Sequence, residues 1–348
     1  MDKNHNINEH SEIKLDIYIN YLKAYLSIIK NVDWVSGIEI YDIFAGQGKS
    51  DNGVEGSSLR AFREILAYKQ GYTRPIDLFL NDIDSSNVLK LKQYIDTQKF
   101  PFVHITNTSA DSFITNLKNK KNYHSLMFID PYGYTKIRGE NLDKIFFRNN
   151  TDIIMFIPVF HIYRFLRKQT NDTQLAPIAQ FLKDMGIDEN EIKKQHTDLD
   201  RFCELIKNAI CNKSKTEACS YYRISHESKQ SEYALYFCSK SLKGLEQFIA
   251  SMKKTDNQHK KTYQLSLLAD APEQYIIDEL NAKESLTNKD LYKLGILKGY
   301  YSAEINQHLR TLEYNNKIVV EAINGQIRKR GAFYIGFNND KKIRVTLK

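Results

Sequence analysis

Three short acidic segments stand where a chain can bring backbone and carboxylate to one ligand. They are Asp42-Ile43-Phe44-Ala45-Gly46-Gln47-Gly48, Asn81-Asp82-Ile83-Asp84 and Asp130-Pro131-Tyr132-Gly133. Glycines after a strand let the backbone turn tightly and approach a bound group without a Cβ penalty. Only G-x-G is present, not the full dinucleotide pattern G-x-G-x-x-G. Asp82 follows Asp42 by 40 residues and ends the next apolar run, the position from which an acidic side chain accepts hydrogen bonds from ribose hydroxyls. Taken singly, Gly46 and Gly48 describe an ordinary strand-to-helix turn, and Asp82 a solvated loop carboxylate or a helix cap. Taken together in this order, they point to a nucleoside site. A carboxylate-metal nuclease built on Asp42, Asp82 and Asp130 is the competing arrangement, but metal binding has no need of the two glycines. The nine His are scattered, with no H-E-x-x-H, and the four Cys include no C-x-x-C. Neither a zinc site nor a disulfide framework is therefore favoured. His161 alone among the His falls just after a strand, where a site residue can sit.

The elements that must position these residues follow from periodicity. Helix-like spacing of Ile13, Ile17, Leu22, Tyr25, Leu26 and Ile29 predicts a helix over 12–29, with Ser11 as N-cap. Apolar runs at 38–44, 76–80, 102–105, 126–129 and 153–160 predict five strands. Amphipathic helices are expected between them at 59–69 (capped by Ser57-Ser58), 88–95 and 110–117. Strands that are apolar throughout, separated by helices, mean a parallel sheet covered on both faces. Ligands of such sheets bind beyond the carboxyl ends of the strands, and the polar punctuation falls at those ends. Aromatic-rich strands at 221–225 and 233–238 fit an antiparallel closing edge, after an irregular helical insertion over about 163–216.

A second unit is expected after the polar stretch 256–261, giving domains at 1–262 and 263–348. The C-terminal part reads as helices over 273–280, 288–294 (capped by Thr287) and 302–314. A hairpin should follow, from 317–323 through Asn324-Gly325 to 328–337. Helices followed by a basic hairpin describe a winged helix-turn-helix. Charge supports a distinct role for this unit. From Asn281 to Lys348 there are 13 Lys/Arg against 6 Asp/Glu, leaving 37 against 36 for the rest of a chain with net charge +8. That asymmetry is either a solvated basic surface or the footprint of a phosphate-backbone binder. In the second case Arg310, Lys317, Arg328, Lys329 and Arg330 contact phosphates, and the helix over 302–314 reads a groove. The chain has 348 residues, and its hydrophobic fraction of 42% is that of a globular protein. It shows no apolar stretch of membrane-spanning length and no signal-peptide pattern, so a cytoplasmic protein is expected.

The ordered motifs Asp-Ile-Phe-Ala-Gly-Gln-Gly, Asn-Asp-Ile-Asp and Ile-Asp-Pro-Tyr-Gly-Tyr resemble those of class I S-adenosylmethionine-dependent methyltransferases. More closely, the chain resembles the three-Cys-motif partner (TcmP) family, on Asp42 to Gly48, Glu55-Gly56-Ser57-Ser58-Leu59 and Asp130-Pro131-Tyr132-Gly133. Tyr236-Phe237, Lys243-Gly244-Leu245 and Met252-Lys253-Lys254 match the family's closing strand and helix. Ser58 departs from the family's usual Pro, and nothing in 163–216 matches. The resemblance implies a Rossmann-like methyltransferase sheet with S-adenosylmethionine as cofactor. Asp42, Phe44, Gly46 and Gly48 would lie against its methionine end, Asp82 would hold its ribose, Ile83 would cover the adenine, and Asp111 would accept from the adenine amino group. It also implies a three-Cys-motif protein as a partner.

Amino methyltransferases carry D/N-P-P-Y/F after the fourth strand. Its acidic or amide side chain and first Pro carbonyl orient the target nitrogen, and its aromatic ring stacks on the base. Asp130 and Pro131 match and Tyr132 stands at the second Pro, so the catalytic set would be Asp130, Pro131 and Tyr132, with Tyr132 or Tyr134 as platform. A plain turn capped by Asp130 is the alternative. Two functions follow: a nucleic-acid methyltransferase favouring a base amino group, or a non-catalytic module of the same fold that binds nucleic acid or protein in a mobile-element or phage-defence system.

Overall fold

The computed structural model describes residues 9–131, 137, 139–159, 162–163, 175–188, 198–225, 232–259, 272–323 and 328–348. Its first half alternates helix and strand: α1 (Glu9–Ile29), β1 (Gly37–Asp42), α2 (Ser57–Lys69), β2 (Ile76–Asn81), α3 (Ser85–Tyr94), β3 (Val103–Thr106), α4 (Ala110–Thr115), β4 (Tyr123–Ile129), α5 (Gly139–Phe146) and β5 (Thr151–Ile157). Then come α6 (Leu175–Asp184), α7 (Leu199–Ser214), β6 (Cys219–Ser225), β7 (Glu232–Cys238) and α8 (Leu242–His259).

The seven strands form one sheet in the order β3-β2-β1-β4-β5-β7-β6. Pairing is parallel from β3 to β5 and antiparallel at β5–β7 and β7–β6. Strand order along the sheet reverses between β1 and β4, the switch point at which ligands of open α/β sheets bind. This is a Rossmann-like α/β fold, with the antiparallel closing edge that the aromatic strands predict.

Both faces of the sheet are buried, which is why its strands read as unbroken apolar runs. Successive side chains point to opposite sides. In β4, Leu126 and Phe128 join a core with Tyr18 and Leu22 of α1 and Phe248 of α8. Met127 and Ile129 join the other core, with Leu142 and Ile145 of α5 and Phe202 and Ile206 of α7. Helix α1 is held hard against the sheet: Tyr18 stacks on Phe128 with centroids 4.1 Å apart, and the Tyr21 hydroxyl donates to buried Asp152 at 2.7 Å.

The C-terminal part comprises α9 (Gln274–Lys283), β8 (Ser285–Thr287), α10 (Asn288–Leu297), α11 (Ser302–Tyr314), β9 (Ile318–Ala322) and β10 (Ile343–Leu347). Its sheet runs β8-β10-β9, antiparallel throughout. Buried Glu246 joins it to α8, accepting from the Tyr292 hydroxyl at 3.1 Å and the Ser302 N–H at 3.2 Å. Burial opposes ionisation of Glu246, yet hydrogen bonds from Lys243 and Ser302 outweigh it and lower its pKa.

Several sequence expectations are corrected. Helix α1 begins at Glu9, so Ser11 lies inside it. Helix α8 continues to His259, into the polar stretch that precedes the expected boundary and shows no apolar periodicity of its own. Residues 328–337 are not the second hairpin strand. β9 pairs with Ile343–Leu347, from Ile318↔Leu347 to Ala322↔Ile343, leaving 328–337 as a loop between them. In β10, buried Ile343 and Val345 alternate with exposed Arg344, the pattern of a strand with one solvated face. Asn324-Gly325 lies outside the described residues.

Candidate functional site

The site is built around the turn after β1. Gly46 and Gly48 have φ of +62° and +88°, in the left-handed region that glycine alone enters without cost. The turn is fastened from three sides. The Gly46 N–H donates to Asp82 Oδ2 at 2.9 Å, the Ala45 N–H to the Asn81 carbonyl at 2.8 Å, and the Gly56 N–H to the Gly48 carbonyl at 2.7 Å. A Cβ on Gly56 would stand 3.2 Å from that carbonyl oxygen, a tight contact that the turn would have to relax to admit.

The two serines after Gly56 serve the turn rather than capping α2. Gly56 is the N-cap and makes no side-chain cap bond. The Ser57 hydroxyl donates to Asp42 Oδ2 at 2.6 Å, and the Ser58 hydroxyl donates to the Ala45 carbonyl at 2.9 Å. Capping chemistry and turn-bracing chemistry both call for a hydroxyl, so residue type alone does not separate them.

Asp42 is fully buried, with the Phe44 N–H on its Oδ1 at 3.3 Å. Burial pushes its carboxyl up to about 7. The hydrogen bonds from Ser57 and Phe44 resist that shift, while the charges of Asp130 and Asp82 add to it. The carboxylates that follow β2 and β4 therefore act on the one that ends β1.

Asp82 is committed to structure on most of its lone pairs. Oδ2 accepts from Gly46, and Oδ1 accepts from the Asp84 N–H at 2.8 Å and the Asn87 amide at 3.4 Å. A carboxylate offers about four acceptor positions, which leaves room for a further donor on Oδ2. Ile83 is 67% exposed and stands beside it as an apolar surface at the rim. Asn81, 1% exposed, ties the neighbouring ends together. Its amide donates to the carbonyls of Ile43 at 3.3 Å and Thr108 at 3.0 Å, while its oxygen accepts from Thr106 at 2.9 Å.

A cavity of about 120 Å³ opens here, lined by Phe44, the Ala45–Ser50 turn, Gly56, Ser57, Asn87 and Asp130, and roofed by Ser11, Lys14 and Leu15 of α1. The structure thus brings Asp42, Phe44, Gly46, Gly48, Asp82, Ile83 and Asp130 to one end of the sheet. Pro131 follows Asp130 there, while Tyr132, Tyr134 and His161 lie outside the described residues. Asp111 stands apart. It lines a second cavity of about 730 Å³, with Glu140, Gln180 and Asp184, and accepts from the Asn141 amide at 2.7 Å.

Sequence reasoning missed Lys14. Its ammonium is paired with Asp130 and lies 4.4 Å from the centroid of Phe156, and its side chain is only 10% exposed. In the sequence it is one polar residue of an amphipathic helix, where a solvated position is the ordinary reading. Only the packing of α1 across the strand ends turns it inward.

In the C-terminal part, Ala303, Gln307, Arg310 and Tyr314 form the exposed stripe of α11. Arg310, Lys329 and Arg330 line a cavity of about 700 Å³ with Asn306, Phe333 and Tyr334. Arg328 does something else: it pairs with Glu313 of α11, which also accepts from the Gly331 N–H at 3.1 Å. Arg328 and Glu313 side chains are 9% and 13% exposed, so this pair fastens the loop to the helix. Lys317 is exposed just after α11 and does not line that cavity.

No family model matches the chain, and no curated protein matches its sequence. Solved structures resemble it in part. A Legionella pneumophila protein is 12% identical, with 72% of this chain and 92% of that one covered and a TM-score of 0.43. The plantazolicin methyltransferase BpumL, in complex with a pentazolic desmethylPZN analog and SAH, is 13% identical over 71% and 79% of the chains, with a TM-score of 0.34. The N-terminal domain of human METTL16 in complex with SAH is 11% identical over 64% and 69%, with a TM-score of 0.31. Among the described residues, no helix is long and apolar enough to cross a membrane.

Proposed function

We propose that the chain is an S-adenosylmethionine-dependent methyltransferase of the cytoplasm that acts on nucleic acid, with a base amino group as the favoured acceptor. The observation that carries this reading is the Gly46–Asp82 hydrogen bond, which joins the glycine turn and the acidic end of β2 into one cradle at the switch point of the sheet. The residues suit the cofactor. Gly46 has nothing within 4 Å of where its Cβ would stand, so the backbone is open to a ligand. Asp82 retains acceptor capacity for ribose, and Ile83 offers a flat apolar flank for adenine. When bound, the cofactor supplies an electrophilic methyl on a sulfonium. The chain's part is positioning: Asp130 and the Pro131 carbonyl accept from the target amino group and aim its lone pair.

The TcmP family is the finer assignment we favour, with domains at 1–262 and 263–348 and a three-Cys-motif protein as partner. The order helix, short strand, two helices and two longer strands in the C-terminal part supports a winged helix. The stripe of α11 and the basic loop beside it suit a duplex groove and its phosphates.

The Lys14–Asp130 pair favours a second reading, because an ammonium already occupies the acceptor carboxylate: a non-catalytic module of this fold that binds nucleic acid or protein. A methyl-transfer assay with labelled cofactor and mixed nucleic acids separates the two. Incorporation that disappears in Asp130→Ala supports the enzyme. No incorporation, with the cofactor bound, overturns it in favour of the module.

A further inference from the structure

Buried ammonium groups need a reason, and Lys14 has two candidate ones. The first is to staple α1 to the sheet. That helix is already anchored on both sides of Lys14: Arg60 reaches Glu12 at 2.6 Å and Asp16 at 3.1 Å, and Tyr21 binds Asp152 at 2.7 Å. The second is to hold a positive charge inside the cavity, and the cavity's composition favours it. Asp130 lines it beside the glycine turn, with Asp82 bonded to that turn and Asp42 buried behind Ser57, and Lys14 reaches in from α1. An α-amino-acid group carries one negative and one positive charge at the same carbon. Its carboxylate needs a cation, and the site holds one in Lys14, paired with Asp130.

We infer that Lys14 is the cation that takes the α-carboxylate of the cofactor's amino-acid end, and that it leaves Asp130 to do so. The inference rests on the cofactor assigned above. The exchange replaces the Lys14–Asp130 ion pair by one between Lys14 and the ligand's carboxylate, so the buried ammonium is paired before and after. It also reconciles the masked acceptor with catalysis. Asp130 is covered by Lys14 while the cavity lacks the amino-acid end, and it is freed to receive a neutral amino group once that end is seated. Lys14 is a binding residue for the cofactor's carboxylate and, through Asp130, a positioning residue for the acceptor.

Calorimetric titration of the full chain with two ligands tests this. S-Adenosylhomocysteine has the amino-acid end, and 5′-methylthioadenosine is a nucleoside thioether without it. Wild type should prefer the first. Lys14→Met should weaken S-adenosylhomocysteine tenfold or more and leave 5′-methylthioadenosine unchanged, and Lys14→Arg should recover part of the loss. Asp130→Asn, which releases Lys14 in advance, should tighten S-adenosylhomocysteine several-fold without affecting the other ligand. If removing Lys14 alone unfolds the chain by stranding Asp130, Lys14→Met with Asp130→Asn removes both charges and should show the same selective loss. Unchanged S-adenosylhomocysteine affinity in a folded Lys14 variant, or unchanged or weaker affinity in Asp130→Asn, overturns the exchange while leaving the cofactor reading intact. Failure of both ligands to bind wild type overturns the cofactor reading itself.

Discussion

The backbone N–H of Gly46 donates to Asp82 Oδ2 at 2.9 Å, so one carboxylate sets the shape of the turn after β1 and faces whatever that turn holds. Removing it has two separable effects. Asp82→Ala should abolish S-adenosylmethionine binding by calorimetry. It should also cost about 1–3 kcal/mol in urea unfolding, since the Gly46 and Asp84 N–H groups lose a charged acceptor. Asp82→Asn, which keeps an amide oxygen for the turn, should restore much of the stability but only part of the affinity. Full affinity in Asp82→Ala would remove the ribose assignment.

Asp42 gives a pH dependence with a definite sign. Its folded pKa, about 7, lies above its ordinary value of 3.8. Between those values the native state holds a proton that the unfolded state has lost, so this group's contribution to stability falls as pH rises from about 4 to 7 and is level above. Asp42→Asn should therefore stabilise the chain at pH 8, by at most about 4 kcal/mol at 1.36 kcal/mol per pH unit, and the gain should vanish toward pH 4. A sulfonium prefers the ionised carboxylate, so S-adenosylmethionine affinity should rise between pH 6 and 8 in wild type but not in Asp42→Asn. Parallel pH profiles for the two proteins would show that Asp42 does not face the ligand.

Much of this arrangement is legible in the chain because parallel strands announce themselves as apolar runs and their ends as polar punctuation. Asp42, Asp82 and Asp130 come to one end of the sheet because each closes such a run, and one sheet aligns those ends. What is not legible depends on distant packing. Lys14 looks like a solvated helix residue until α1 lies across β4. Ser57 looks like a cap until Asp42 is placed beside it. The partner of β9 begins at Ile343, well beyond the nearest apolar segment, because strand pairing is decided by which face is covered, and Phe333 and Ile335 are buried without joining a strand.

The two glycines of the turn should differ in how they fail. A Cβ on Gly46 meets nothing within 4 Å, so Gly46→Ala should cost only the left-handed backbone term, about 1–2 kcal/mol, while sharply reducing cofactor affinity by occupying the ligand's side of the turn. A Cβ on Gly48 would stand 3.0 Å from Leu91 Cδ1 and 3.2 Å from Tyr94. Gly48→Ala should therefore add packing strain of about 1–3 kcal/mol. Urea unfolding and calorimetry on both variants check this, and equal stability losses would contradict the asymmetry.

Four of the basic residues expected to meet phosphate should divide in the same manner. Arg328 is spent on Glu313, and removing one member of a buried pair strands the other. Arg328→Ala should therefore destabilise by about 3 kcal/mol, and its effect on nucleic-acid binding should follow from loosening the loop. Lys329 and Arg330 are exposed and line a cavity with Arg310, so Lys329→Glu with Arg330→Glu should leave the thermal midpoint nearly unchanged. The same change should lower affinity for duplex and reduce the slope of log K against log salt by about 2, roughly 0.9 for each phosphate left without its cation. Arg310→Ala, on the exposed stripe of α11, should lower affinity with the smallest change of slope if it touches base edges, and by about 0.9 if it touches phosphate. Salt-titrated binding that is identical for wild type and the Lys329–Arg330 double variant would show that the positive excess of this part is ordinary solvated surface.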